Sequence, residues 1–457
     1  MPGWLLNHLK GWSLNLTYLT MLIIISPVVL WRMVTQGKYC VGWNERLLGS
    51  VPRPTDNKPC LWLHAVSVGE VMQLRPVVTA LRNQHPDYRF VITTTTVTGR
   101  DVADKSFPDD TVCYFPFDFT WAVRRAIHRL RPVAVVLVEL EIWPNLILQT
   151  QRANVPVVLI NGRLSANSFR GYTRFRYLVR GLLESVHTFA IQNDIYAQRM
   201  CELGAPPERV HVTGSIKFDA VETDRHNPHT TEIRRAFTIA DDAPVFIAGS
   251  TQSPEEDYAL AAYREICKSV PELRLILVPR HKERFEEVAR LVHSRGFALT
   301  RRSTPNASLP HGESTDNKSA DGPPVLLLDT LGELSACWGL ADIAFVGGSL
   351  TKRGGQNMIE PAGYGAAVLF GPNTRNFYDV VEILLKNDAA VVVHDSEELT
   401  TRVRALLQSH SNRLEMGRRA QQLVLAQQGA TSRTVALISQ VLPKSTSREA
   451  QSGKRAA

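Results

Sequence analysis

Three carboxylates and a lysine stand where the chain could do chemistry. Glu70 closes the run His64-Ala65-Val66-Ser67-Val68-Gly69-Glu70, which follows a short apolar stretch and leads into a helical pattern. A carboxylate exposed at the mouth of a sheet accepts a proton from a hydroxyl when its surroundings tune its pKa. The plain alternative is a helix-start Glu held by the helix dipole. Glu139 and Glu141 follow the apolar run Ala134-Val135-Val136-Leu137-Val138, and strand alternation puts both on one side of the strand end. Two carboxylates there are costly unless a cation, a lysine or a substrate hydroxyl relieves them, or unless both are simply solvated. Lys217 follows Val210-His211-Val212. It could offset negative charge on a leaving phosphate or pair with Glu141, or it could be an ordinary surface lysine.

A second group of residues has the character of a nucleotide pocket. Ala248-Gly249-Ser250-Thr251 and Val278-Pro279-Arg280-His281 end apolar runs, and Leu331-Gly332-Glu333 opens a helical pattern. Gly347-Gly348-Ser349 and Gly354-Gly355-Gln356-Asn357 flank a turn carrying Lys352 and Arg353, with Met358, Ile359 and Glu360 next. Glycine turns and helix starts offer backbone N–H groups to phosphate, and Glu360 could take ribose hydroxyls. Neither a Walker A loop nor a strand followed by GxGxxG is present, which disfavours an ATPase or a dehydrogenase. The six cysteines lack CxxC spacing, so reduced structural thiols in a reducing compartment are expected, with no zinc site.

The elements that must position these residues alternate along the chain. Short apolar runs at residues 61–63, 90–92, 134–138, 157–160 and 189–191 are separated by helical patterns, the spacing of βαβ units and a parallel sheet. The series restarts with runs at 245–248, 275–278, 325–328, 343–346, 368–370 and 390–393. The class is therefore α/β, and 457 residues suit two such domains with appendages. The reading places a first domain at 45–219, which the resemblance described below makes the acceptor domain, a polar hinge near 220–230, a second domain at 231–425 and a C-terminal helix at 426–443. Residues 301–323 read as a surface loop and 444–457 as a disordered basic tail.

Between Lys10 and Arg32 no charged residue occurs, and Trp12 and Trp31 mark the ends of that stretch. Residues 12–33 are accordingly expected to form a single-pass membrane helix. The cations Arg32, Lys38, Arg46 and Arg53 that follow would keep the body cytoplasmic. A net charge of +8 suits an acidic partner, whether nucleic acid, an anionic bilayer or a phosphorylated substrate.

The ordered motifs HAVSVGE, TTTTVTGRD, PFD, ELEIWPN, NGRLS, GSIKFD, VPRH, DTLGE, FVGGSL and GGQNMIEPAGYG closely resemble the 3-deoxy-D-manno-octulosonic acid (Kdo) transferases of glycosyltransferase family 30. The resemblance runs from the N-terminal apolar segment to about Arg433. It implies a GT-B fold, two Rossmann-like domains with a cleft between them. It also implies CMP-Kdo as donor, the lipid A precursor (lipid IVA) as acceptor, and the cytoplasmic face of the inner membrane as the place of work. Its general base falls on Glu70, its transition-state stabilisers on Glu141 and Lys217. Its CMP contacts fall on Pro279 and Arg280, on Leu331, Gly332 and Glu333, and on Asn357, Met358, Ile359 and Glu360. No metal or cofactor is implied, and the positive charge is left to the anionic membrane surface rather than to nucleic acid. Two positions depart from the family's commoner residues: Gln356 stands in place of His and Leu140 in place of Thr. Gln donates and accepts hydrogen bonds but does not titrate, so no imidazolium acts there. The rival readings are a GT-B enzyme with a UDP-sugar donor and a catalytically silent nucleotide-binding protein.

Overall fold

The computed structural model describes residues 3–36, 41–54, 56–304 and 322–443. The chain divides into two units, the described parts of Met1–Asp219 with Gln428–Ala457, and Ala220–Gln427.

The first unit is built on a seven-stranded parallel sheet. Its strands are β1 (Cys60–His64), β2 (Arg89–Thr94), β3 (Thr111–Tyr114), β4 (Pro132–Val138), β5 (Val157–Gly162), β6 (Thr188–Ile191) and β7 (Val210–Val212). They lie in the order β3-β2-β1-β4-β5-β6-β7. Every residue of β1 is buried, because helices cover both faces of a parallel sheet. Leu61 and Leu63 pack with Val71, Leu74 and Val77 of the helix Val68–Gln84. Trp62 points the other way, into a core with Phe115, Val123 and Ala126. Burying each of these large side chains stabilises the fold by roughly 1.5–3 kcal/mol. The strand order reverses between β1 and β4, so their carboxyl ends diverge and open a crevice. Glu70 follows one of these ends, and Glu139 and Glu141 follow the other.

The second unit repeats the plan with β8 (Val245–Thr251), β9 (Arg274–Pro279), β10 (Leu299–Arg301), β11 (Val325–Leu327), β12 (Ile343–Val346), β13 (Ala367–Phe370) and β14 (Ala390–Val392). The order is β10-β11-β9-β8-β12-β13-β14, all parallel, with the reversal between β8 and β12. Where a surface loop was expected to begin, β10 adds an edge strand. Arg301 pairs with Asp329 and Glu286, and Arg302 with Glu232 and Glu333. Residues 305–321 and the tail 444–457 lie outside the described residues.

After the helix His410–Gln427 the chain returns to the first unit. Asp219 accepts hydrogen bonds from the backbone N–H groups of Gly429 and Thr431, and Ala430, Val435 and Ile438 join the core under the helix Val68–Gln84.

The N-terminal helix differs from expectation. It runs Gly3–Gln36, but among the described residues no helix is long and apolar enough to cross a membrane. The segment also carries the polar residues Asn15, Tyr18 and Ser26 at helical spacing, which counting uncharged residues does not reveal. Asn15 is buried, donating to Thr120 Oγ1 at 2.7 Å and accepting from the Thr120 N–H at 3.1 Å. The Tyr18 hydroxyl donates to Asp118 at 3.2 Å. Asn15 and Tyr18 are thus engaged by the body of the first unit. Pro27 has no N–H for the Ile23 carbonyl, and the Ser26 hydroxyl takes that acceptor instead at 2.8 Å.

Candidate active site

At the carboxyl end of β1, Ser67 caps the helix Val68–Gln84 by accepting from the Glu70 N–H, and the Glu70 carboxylate reaches back. It accepts from the Ser67 hydroxyl and the Val66 N–H, each at 2.8 Å. This is a capping box, so both readings of Glu70 hold at once. The cap fixes the carboxylate, yet each oxygen keeps a further acceptor site. Glu70 is 8% exposed, and burial, with the Glu139 charge adding to it, pushes its pKa above the usual carboxylate value.

Across the switch point, Glu139 takes a left-handed backbone conformation with φ of 59° at the end of β4. Non-glycine residues held there cost of order 1–3 kcal/mol and recur at functional sites. Glu139 accepts from Gln73 Nε2 at 3.3 Å and pairs with Arg163 at 3.6 Å. Gln73 in turn accepts from Asn161, itself at φ of 52°. The Asn161 Oδ1 accepts from the Ile216 N–H at 3.2 Å, in the turn Ile216–Phe218 that carries the half-buried Lys217. One hydrogen-bonded chain thus joins the ends of β4 and β5 to the lysine's turn. Glu141 is pushed up to about 7 by burial, then by the charges of Glu70 and Glu139. Carboxylates in each other's field, one titrating near neutrality, can take a proton and face developing positive charge.

His64 of the same motif is structural. Its ring stacks on Phe115 with centroids 3.7 Å apart and its Nδ1 meets the Thr93 carbonyl at 3.0 Å. Burial lowers its pKa to about 3, so it stays neutral.

In the second unit the switch point is held by Glu255, which is fully buried. Its carboxylate accepts from the backbone N–H groups of Gln252, Gly348, Ser349 and Leu350 at 2.7–3.0 Å. Gly347 must be glycine, because a Cβ would come within 2.6 Å of Thr251 Cα and 2.7 Å of the Ser250 carbonyl. The N–H groups expected to meet phosphate at Gly348 and Ser349 are therefore already used. Ser349 Oγ accepts from the Gly371 N–H at 2.8 Å, which ties the end of β13 into the same knot.

The remaining predicted contacts fall around this knot. Gly355 N–H donates to the Gly348 carbonyl at 2.9 Å, placing the Gly354-Gly355-Gln356-Asn357 turn beside the Gly347-Gly348-Ser349 loop. Asn357 donates to Glu360 at 2.8 Å, and its own Oδ1 takes the Ile359 N–H. Burial raises the Glu360 pKa, opposed by Asn357 and by the nearby Arg280 guanidinium. Met358 and Ile359 are buried, as is Pro279 at the end of β9, and Arg280 beyond it is exposed. Leu331 is 71% exposed beside Gly332. Glu333 is engaged by Arg302 at 2.8 Å and by Thr330. Burial pushes Glu333 up, but these hydrogen bonds outweigh it and hold the group below the usual range. Among the described residues no group of three or more His, Cys, Asp or Glu side chains is placed to hold a metal ion.

Residues 41–220 match the family model for 3-deoxy-D-manno-octulosonic-acid transferase (kdotransferase). The 3-deoxy-D-manno-octulosonic acid transferase of Haemophilus influenzae is 32% identical to this chain over 93% of it and 98% of the relative. The chain belongs to the Kdo transferase family. The transferase of Bordetella pertussis is likewise 32% identical, over 82% of this chain and 86% of its own. Among solved structures, the MurG of Acinetobacter baumannii shares 14% identity over 84% of this chain and 99% of its own, with a TM-score of 0.52. That likeness is one of fold alone, and it agrees with the GT-B class expected from the sequence.

As a Kdo transferase the chain brings Glu70, Glu139 and Glu141 together in the first unit and gathers Arg280, Asn357 and Glu360 in the second. Sequence reasoning missed Gln73 and Asn161, and with them Glu255, which only the switch-point geometry singles out. A signal for Glu255 existed, since a Glu opens a helix right after the β8 loop, but nothing in the sequence says which N–H groups it would take. Three arginines of the first unit meet groups of the chain itself: Arg163 faces Glu139, Arg100 faces Asp104 and Glu45, and Arg170 bonds Asn167.

Proposed function

We propose that this Kdo transferase is an inverting enzyme that moves Kdo from CMP-Kdo to the lipid A precursor in lipopolysaccharide synthesis. The unit of β8–β14 takes the donor and the unit of β1–β7 takes the acceptor. The acceptor hydroxyl attacks the anomeric carbon of Kdo while the bond from that carbon to the phosphate oxygen breaks. Glu70 receives the hydroxyl proton, and CMP departs with the electron pair. Positive charge builds on the sugar ring, where Glu141 stabilises it, and Lys217 offsets the charge on the leaving phosphate. Arg280 faces that phosphate, and Glu360, oriented by Asn357, faces the ribose. A single phosphate is held by cations, without a metal or cofactor.

The observation that carries this reading is the carboxylate cluster of Glu70, Glu139 and Glu141 at the switch point, with Glu141 raised to about 7. The N-terminal helix supports the place of action. Beyond its stripe of protein contacts it exposes Leu16, Leu19, Ile23 and Ile24, and Trp12 lies beside Arg124, Arg125 and Arg152. An apolar face next to a cationic patch suits a helix lying in the interface of an anionic inner membrane, with the body on the cytoplasmic side.

The test is transfer from CMP-Kdo to tetraacylated lipid A precursor by the full chain, with product mass followed over time. Mass increments of one or more Kdo residues support the reading. An enzyme that binds UDP in preference to CMP, or that releases Kdo only to water, overturns it.

A further inference from the structure

A groove of about 480 Å³ lies in the first unit between the N-terminal helix and the body, lined by Leu22 and Ile25 from the helix and by Trp43, Phe117, Phe119 and Trp143 from the body. We infer that this groove holds one acyl chain of the acceptor, an inference that rests on the lipid-acceptor reading above.

Three observations carry it. Polar groups along the walls are turned inward. The Tyr18 hydroxyl donates to Asp118, whose carboxylate is taken by the Asn145 and Leu146 N–H groups at 2.9 and 2.8 Å, and Ser26 donates to the Ile23 carbonyl. Arg46 also lines the groove, its guanidinium stacked over the Tyr114 ring at 4.0 Å, and the rest of the lining is chiefly aromatic and aliphatic, with a volume in the range of sites that take a small apolar ligand. One wall reaches the chemistry, since Trp143 stands two residues beyond Glu141 and caps the helix Pro144–Arg152. The opposite wall is the helix whose other face, at Leu19, Ile23 and Ile24, is 44%, 61% and 69% exposed. The groove therefore runs between an exposed apolar helix and Trp143, two residues from Glu141. An amphiphile whose sugar head sits at Glu70 and Glu141 can lay a chain along it without bringing that chain into water.

The experiment compares two acceptors, the tetraacylated precursor and the same bisphosphorylated disaccharide stripped of its ester-linked chains. Ile25→Trp fills the groove, and Leu414→Trp adds similar bulk at an exposed position of the second unit. Ile25→Trp is expected to raise KM for the acylated acceptor about tenfold, while KM for the stripped acceptor and for CMP-Kdo stays level. Leu414→Trp should change neither KM, and both variants should bind anionic vesicles as the parent does. Should Ile25→Trp fail to fold, Leu22→Ala, which removes wall instead, is expected to raise the same KM ratio. An equal shift for both acceptors, or none, overturns the groove assignment while leaving the transferase reading intact. A change in oligomeric state without a change in the KM ratio means that a second copy fills the groove, and also overturns it. If the parent transfers Kdo to neither acceptor, the acceptor reading falls and the groove assignment falls with it.

Discussion

Each unit places a buried glutamate after the strand at which its parallel sheet reverses order, and burial raises the pKa of both, but the groups around the two differ. Glu255 follows β8 at a strand-order reversal, is fully buried, and is met by four backbone N–H groups. Glu70 follows β1 at the corresponding reversal and is nearly as buried. Its oxygens take the Val66 N–H and the Ser67 hydroxyl, with the Ser67 backbone adding to them, and unlike Glu255 it has other carboxylates, Glu139 and Glu141, close enough to raise pKa values. Burying a carboxylate is tolerable when hydrogen bonds replace water and costly when like charges are added. The second unit uses its glutamate to close a loop. The first sets its glutamates in each other's field, and that repulsion is what a hydroxyl proton and a cationic sugar would relieve. A residue's type and place in the fold are thus not enough to tell architecture from chemistry; the charges set beside it are what differ.

The sharpest way to break this contrast is to neutralise each glutamate without changing its shape. Glu70→Gln keeps the capping box, which accepts Gln at that position, but cannot take a proton. Turnover is expected to fall about 10²–10⁴-fold, with melting temperature and CMP affinity unchanged. Full turnover in a mass-resolved transfer assay removes Glu70 as base. Glu255→Gln should do the reverse of Glu70→Gln on stability. Its amide N–H group would face backbone donors, and charge-assisted hydrogen bonds are lost, at roughly 1.5–3 kcal/mol for a bond to a charged group. The melting temperature is expected to drop by several degrees, with weaker donor binding as the Gly347-Gly348-Ser349 loop loosens. An unchanged melting curve would show the two glutamates to be alike after all.

How far the sequence carries this contrast differs between its halves. The alternation of apolar runs and helical patterns places both sheets, because parallel strands covered on both faces read as unbroken apolar runs, of which Val157-Val158-Leu159-Ile160 is one. The motif residues Glu70, Glu141 and Arg280 are legible because each closes or follows such a run. What the sequence hides is partner choice across the sheet. Gln73 reaches Glu139 and Asn161, and Arg302 reaches Glu333 from a segment that composition marks as loop. The N-terminal helix fails for the same reason. Asn15 and Tyr18 look like tolerable interruptions of an apolar segment until Thr120, Asn145 and Asp118 are seen to receive them.

Smaller effects sharpen the picture within each unit. Arg280 is exposed and its charge is felt by Glu360. Arg280→Ala is expected to weaken CMP binding about tenfold by calorimetric titration, with KM for the acceptor unchanged. Equal losses for both ligands would mean that the substitution disturbs the unit rather than the phosphate.

The finest test uses pH. Burial first, and then Glu70 and Glu139, raise Glu141 to about 7, above the value of about 4.5 usual for a glutamate in an unfolded chain. Between those values the folded protein keeps a proton that the unfolded chain has released, so the folded state is favoured at the acid end and stability falls as pH rises toward 7. Above that, the cost of an ionised Glu141 is fully present. Glu141→Gln never ionises, and is expected to melt higher than the parent at pH 8, to melt as the parent does at pH 5, and to transfer Kdo more slowly at both. Asp118, which burial also raises to about 7, titrates in the same window and leaves the variant a shallower slope rather than none. A variant whose melting temperature follows pH as steeply as the parent's would show that the strain at this switch point is not electrostatic. The difference from Glu255 would then have to lie in what binds there, not in what the fold leaves unpaired.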